Sequence, residues 1–271
     1  MLVLYNKRAY YGTSTWRCTG DCPYSSCDKA NESKRSNNRI YDGKAVEIID
    51  GLGIDTAKYD KFMSHEGVIA RTIIFDNEVK KMLEKYPDAV CVNIGCGFDD
   101  RFSRVDNGRV RWYNVDLPDS IAVRRKVFPE REREFTLEGD VTSDSWTESI
   151  PDDNVTIIIA EGLLMYLDEA DVKKLLENIS AHFSKGYIIC EVMHPMAVKN
   201  TEHHDTVGKT NAVFRWGIAD GKEMEQLCSK IKFVKEVNFF EEIKKYSFAG
   251  KIGKLFFKKF MDRMAVYNFK K

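Results

Sequence analysis

The rhythm of hydrophobic positions changes near residue 87. Before it the spacing is helical. Ala45, Ile48, Ile49 and Leu52 share one face of the stretch from Tyr41 to Leu52. Helical character continues from Phe62, and Phe75, Val79, Met82, Leu83 and Tyr86 form a stripe at i, i+4, i+7, i+8 and i+11, until Pro87-Asp88 stops it. Beyond that point short apolar runs alternate with helical stretches. Val90 to Ile94, Val110 to Asp116, Glu134 to Val141, Val155 to Ala160 and Tyr187 to Val192 read as strands, with VTIIIA the most continuously apolar. On the third of these, Phe135 and Leu137 share a face. Pro118 opens a helix reaching Phe128, where its missing N–H costs nothing, and Asp168 starts another that buries Val172, Leu175, Leu176, Ile179 and Phe183. Such alternation predicts an α/β fold with a parallel sheet. Towards the end, Lys222 to Ile231 reads as a helix, and Phe233 to Phe240 and Ala265 to Phe269 as closing strands. Between them lies a basic amphipathic helix, with Lys251, Lys254, Lys258, Lys259 and Arg263 opposite Ile252, Leu255, Phe256 and Phe260. Residues 1 to 40 are polar and read as irregular structure with short helices, laid over the rest as an arm or lid.

Composition narrows the picture. Of 271 residues, 43% are hydrophobic and 31% charged, which supplies a core and excludes wholesale disorder. Basic and acidic residues both number 42, so a polyanion-wrapping protein is disfavoured and no nucleic-acid partner is expected. No stretch approaches the roughly 18 apolar residues of a membrane span, and MLVLYNKRAYYG lacks the apolar core of a signal peptide. The expectation is one soluble, cytoplasmic domain over 1–271, with residues 1–70 as arm and helical cover and 71–271 as core. The odd count of seven cysteines fits free thiols in a reducing compartment. Cys18, Cys22 and Cys27 follow C-x3-C-x4-C, which matches no common zinc pattern and lacks an obvious fourth ligand, so no metal is expected.

The candidate chemistry lies where the strands end. The first strand ends in Gly95-Cys96-Gly97, where bare backbone lets a ligand come close. The second ends in Asp116-Leu117, about 20 residues past Gly97, where a carboxylate can accept two ribose O–H bonds. The third delivers Asp140-Val141 and the fourth Glu161-Gly162. Singly, each acid reads equally well as a helix cap or a solvent-facing strand end. In register at successive strand ends, they point to a nucleoside ligand. A dinucleotide and S-adenosylmethionine both fit so far. A dinucleotide fingerprint wants a third small residue, whereas Asp99 and Asp100 follow here and would repel a pyrophosphate. Asp140 can accept from an adenine amino group while Val141 offers its backbone N–H. Arg71, upstream, can pair with the carboxylate of an amino-acid moiety.

The run GCGFDDRFSRV, followed by RWYNVDLP and EGLLMYL, resembles the leucine carboxyl methyltransferase superfamily, and within it the branch named for the tetracenomycin polyketide synthesis O-methyltransferase. RTIIFD at Arg71 to Asp76 and FRWGIADGKE at Phe214 to Glu223 extend the resemblance. It implies a Rossmann-like S-adenosylmethionine-dependent methyltransferase fold, with a seven-stranded, mostly parallel sheet, helices on both faces and an N-terminal helical or irregular cover. It further implies that Arg71 holds the methionine carboxylate, that Gly95, Cys96 and Gly97 line the methionine moiety, and that Asp116 with Leu117 takes the ribose side. Asp140 and Val141 would meet the adenine, Glu161 and Gly162 would lie near the methionine amino group, and Tyr166 would be close to the methyl-transfer cleft. The sequence departs from the family at its first forty residues, where Lys7 or Arg8 would otherwise be a second cofactor contact, and at GFDD, which replaces the commoner GFDT.

The expected reaction is O-methylation of a small-molecule hydroxyl or carboxyl group, such as a polyketide-type metabolite, leaving S-adenosylhomocysteine. A carboxylate acceptor needs no general base, whereas a hydroxyl benefits from one, and His194, His203 and His204 follow the fifth strand as candidates. Three other readings stay open: a protein C-terminal carboxyl methyltransferase, a nicotinamide-dependent dehydrogenase, and a non-catalytic cofactor-binding module. Neither acceptor identity nor oligomeric state follows from the sequence.

Overall fold

The computed structural model describes residues 22–56, 62–199, 213–246 and 262–271. Three helices come first: α1 (Cys22–Ser33), α2 (Gly43–Leu52) and α3 (Phe62–Lys85). Asp42 caps α2 by accepting from Ala45 N–H at 2.9 Å, and Gly53 closes it in the left-handed region at φ 62°. The alternating part follows as β1 (Val90–Ile94), α4 (Arg101–Val105), β2 (Arg111–Asp116), α5 (Pro118–Val127), β3 (Glu134–Glu138), β4 (Thr156–Ala160), α6 (Glu169–His182), β5 (Lys185–Val192), α7 (Pro195–Val198), β6 (Ile231–Asn238), α8 (Phe240–Tyr246) and β7 (Arg263–Lys270).

The strands form a seven-stranded sheet in the order β3-β2-β1-β4-β5-β7-β6. All neighbours are parallel except β7, which runs antiparallel between β5 and β6. β1 and β4 are buried along their whole length, as central parallel strands covered on both faces must be. Side-chain alternation divides the core in two. Val90, Val92, Ile94 and Ile158 join Leu175, Leu176, Ile179 and Phe183 around α6, while Cys91, Ile157, Ile159 and Val266 join Phe75 and Val79 of α3. Strand order reverses between β1 and β4, which opens a crevice at their carboxyl ends.

Several expectations change. Within the stretch expected to be irregular with short helices, residues 22–33 form one helix of twelve residues. The third strand stops at Glu138, because Asp140 folds back to accept from Thr142 N–H and Oγ1. Phe135 is 42% exposed on this edge strand and stacks on Tyr113. The expected helix from Lys222 to Ile231 is a short 3-10 turn, Gly221–Gln226, with an Asp220–Glu223 capping box, and Ile231 already pairs with Phe269 in the sheet. Phe240 leaves the expected strand to start α8, with Asn238 Oδ1 accepting its N–H. Arg263 is not on a solvated helix face. It is buried at the head of β7 and donates to the carbonyls of Ile218 and Ala219, each at 2.6 Å. The rest of the expected basic helix, the first twenty-one residues with Cys18, and the Cys22 side chain lie outside what is described. Cys27 is buried against Ala30, Ala45 and Ile49, and burial pushes its thiol up to about 12, so it is packing rather than chemistry. Among the described residues no helix is long and apolar enough to cross a membrane.

Candidate cofactor site

The crevice is a cavity of about 260 Å³ at the carboxyl ends of β1, β2 and β4, covered by α1. Every cofactor-binding candidate borders it: Arg71, Gly95, Cys96, Gly97, Asp116, Leu117, Asp140, Val141, Glu161 and Gly162. Tyr166 borders it too. Gly95 bends the chain at φ 62°, and a Cβ there would come within 3.0 Å of Leu163 Cδ1, so the turn requires glycine.

On the β2 side, Asp116 accepts the backbone N–H groups of Gly97 and Leu117, each at 2.8 Å. Burial raises its carboxyl above the ordinary range, against the lowering effect of those two bonds. Arg124 of α5 donates to the carbonyls of Gly97 and Asp99, each at 2.9 Å, and so ties the loop after Gly97 to that helix. Asn93, also on the cavity wall, donates to Asn114 at 3.4 Å in the same buried network.

On the β4 side lies a hub of charge. Arg71 Nε meets Glu161 Oε1 at 2.9 Å, and Glu161 also bonds the fully buried Arg101. Burial works to raise Glu161, but Arg101 and then Arg71 hold it down at about 2. Arg101 reaches Asp76 at 2.7 Å and Asp99 at 2.8 Å, while Arg104 joins Asp76, Asp42 and Asp99. Asp99 also receives Lys29 at 3.0 Å, and against the effect of burial these cations keep it well below the usual carboxylate range.

This hub corrects the part assigned to the two acids after Gly97. Asp99 is on the cavity border, but its charge is already matched by Arg101, Lys29 and Arg104. Asp100 is not among the bordering residues and bonds Arg131 at 2.8 Å. Discrimination against a pyrophosphate therefore does not rest on two bare acids. His194 is not among the bordering residues either. It caps α7, its Nδ1 accepting Met196 N–H at 3.2 Å. His203 and His204, like Lys7 and Arg8, lie outside the described residues.

Sequence reasoning missed the residues that α1 brings to the border: Ser25, Ser26 and Lys29. Ser25 and Ser26 stand four and three residues before Lys29, which puts each beside it on one helix face, a signal hidden because the helix has little apolar periodicity. Ser120, Leu163 and Leu167 also border the cavity, and Glu191 supports it from behind.

Residues 31–180 match the leucine carboxyl methyltransferase family model. The chain belongs to this family. It is accordingly a methyltransferase that uses S-adenosylmethionine. It is 26% identical over 207 residues to the tetracenomycin polyketide synthesis O-methyltransferase TcmP of Streptomyces glaucescens, covering 76% of this chain and 77% of that protein. In fold it resembles a Thermobifida fusca protein assigned to the methyltransferases, with TM-score 0.64, 12% identity and coverage of 96% of this chain and 98% of the other. It also resembles the magnesium protoporphyrin IX methyltransferase ChlM of Synechocystis, solved with S-adenosylhomocysteine, with TM-score 0.51, 10% identity and coverage of 84% and 100%. At these identities the two structures speak to the fold, a Rossmann-like α/β sheet.

The donor set of the cavity fits S-adenosylmethionine. A carboxylate lies at the β2 end where ribose hydroxyls would be held. At the β4 end an arginine and a glutamate suit the carboxylate and ammonium of an amino acid.

Proposed function

We propose that the methyl group goes to an oxygen of a small-molecule acceptor, a hydroxyl or a carboxyl. Asp116 would hold the ribose, Asp140 and Val141 the adenine, and Arg71 and Glu161 the methionine end, with Gly95 to Gly97 admitting the chain between them. When bound, the cofactor supplies a sulfonium-activated methyl group. The protein then has to align the acceptor oxygen and exclude water.

The observation that carries the acceptor side is Tyr166. Its hydroxyl is buried and has no hydrogen-bond partner among the described residues, although the residue borders the cavity. A buried unpaired hydroxyl costs about 1–3 kcal/mol, which a bonded acceptor oxygen would recover. Its ring lies 5.5 Å from that of Phe214, in an apolar cluster with Met165 and Met193. Tyr166 is the member of this group that borders the cavity, and the apolar setting around it suits an apolar organic acceptor, in keeping with the polyketide relative's name. In this reading the residues before 71 act as cover and the rest as core, working as one unit. The buried free thiols of Cys91, Cys96, Cys190 and Cys228 suit the cytoplasm.

Calorimetric titration with S-adenosylmethionine and S-adenosylhomocysteine tests the site. Binding should weaken at least about tenfold in Asp116→Ala, the loss expected from two hydrogen bonds to a charged group. Unchanged affinity in that variant would sink the placement. A panel pairing apolar phenols and carboxylic acids then tests the acceptor, and transfer only to amines would refute it.

A further inference from the structure

Glu191, on β5, is not among the residues that border the cavity. It is 2% exposed in an otherwise apolar strand, YIICEV, and a buried carboxylate there is costly unless it is held by specific partners. Two of its partners are parts of the cavity wall. Its Oε2 accepts Gly162 N–H at 2.7 Å and Arg71 Nη1 at 3.1 Å. Gly162 stands at φ 63°, and a Cβ on it would lie 3.7 Å from Arg71 Nη1 and 4.0 Å from Glu191 Oε2, so the three groups meet at one point.

The contacts of Arg71 define an orientation. Its Nη1 donates to Glu191, while its Nε lies 2.9 Å from Glu161 Oε1 as a charge contact without hydrogen-bond alignment. Its Nη2 points to Ser25 Oγ at 3.4 Å, and Ser25 borders the cavity. Rotation of the guanidinium about its Cδ–Nε bond would carry Nη1 away from Glu191 and break that hydrogen bond. The fork is thereby aimed before any ligand arrives, which is where a planar, bidentate donor gains over a point charge. The same carboxylate holds Gly162 N–H, and that turn leads into the short 3-10 helix Leu164–Tyr166. At the head of β7, opposite the end of β5, burial and then the nearby Glu191 carboxylate push Asp262 up to about 8.

We propose that Glu191 is a positioning residue: it aims Arg71 at the carboxylate of the cofactor's amino-acid end and ties that arginine to the Gly162 turn carrying Tyr166. The proposal rests on the reading that Arg71 takes this carboxylate.

The test is calorimetric and uses the full chain with two ligands, S-adenosylmethionine and its decarboxylated analogue. Glu191→Gln can still accept Gly162 N–H but loses the charge that grips Arg71. It is expected to weaken S-adenosylmethionine about tenfold, the size of one oriented ionic contact, and to leave the analogue within about twofold. Arg71→Ala should abolish the preference for the carboxylate-bearing ligand. If Arg71→Ala keeps that preference, the reading of Arg71 fails. If Arg71→Ala loses it but Glu191→Gln weakens both ligands equally, or neither, the positioning role is overturned. Should Glu191→Gln not fold, Glu191→Asp carries the same comparison. A selective loss for S-adenosylmethionine supports the proposal, and equal behaviour towards the two ligands overturns it.

Discussion

The sheet core and the helical cover are built from different forces. At the centre, Ile157, Ile158 and Ile159 are fully buried and pack into the two large apolar clusters, one on each face of the sheet. The cover has a far smaller apolar cluster, in which Cys27 and Ala30 of α1 meet Ala45 and Ile49 of α2. It meets the body in a further apolar contact, Ile48 against Val127 and Phe128, and other ties are ionic. Lys29 reaches Asp99 at 3.0 Å, and His65 of α3 lies between Asp28 at 3.5 Å and Glu32 at 2.9 Å. Arg39 bridges Glu32 at 2.8 Å and Glu66 at 2.7 Å, and Arg35 adds to Glu32 at 3.0 Å. Apolar burial carries no titrating group, whereas a latch of paired charges depends on every partner keeping its protonation state. Because α1 carries Ser25, Ser26 and Lys29 to the cavity, the cofactor site inherits that dependence on one side.

The largest effect should come from the core. Ile158→Ala is expected to cost about 2–5 kcal/mol of global stability, read as a lower urea midpoint. The contrast fails if the loss is under about 1 kcal/mol. Next comes Arg39→Ala, which strips a shared cation from two buried carboxylates. It should loosen the cover by about 1–3 kcal/mol, seen as faster amide exchange in residues 22–42 with exchange in β1 and β4 unaltered. Equal acceleration in the sheet would show that cover and core are one cooperative unit.

The smallest effect is that of pH on the latch. Burial alone would lower His65, but its contacts with Asp28 and Glu32 prevail over burial and Arg35 and raise it above 6.5. A raised folded value means that its contribution is complete below the ordinary 6.5 and disappears as pH climbs through the raised value. Burial would raise Glu32, but Arg39 and His65 hold it down at about 2, so its contribution is present above its ordinary 4.5 and is lost as pH falls towards 2. Amide protection of α1 should therefore be greatest between about 4.5 and 6.5, and His65→Gln should remove the decline on the alkaline side. A profile for α1 that is flat above 6.5 in the unaltered protein would rule out the histidine's part.

Much of the fold was legible because its signals are local. VTIIIA and VCVNI read as strands because an unbroken apolar run of that length has few other solutions, and Pro118, Asp168 and Pro87 mark helix boundaries through their own chemistry. The errors fall where tertiary pairing overrode local preference. Lys222 to Ile231 has helical residues, yet Ile231 is drawn into the sheet by Phe269 and the 3-10 turn takes what is left. Asp140 has the place of a strand end in the sequence pattern, and its side chain instead makes the turn that ends the strand early.

By itself the sequence determined the alternation of strands and helices, the glycine turn after β1 and the polar residues at the strand ends, all encoded within a few residues of each other. Only the tertiary structure decided that β7 slips antiparallel between β5 and β6. The same is true of the arginines that match Asp99 and Glu161, and of Lys29 and Glu191 as neighbours of the cavity. Lys29 lies 70 residues from Asp99, and Arg71 lies 120 from Glu191. Contacts at such separations leave no periodicity to read, because the chain between them can close the gap in many ways and only the packed sheet selects one.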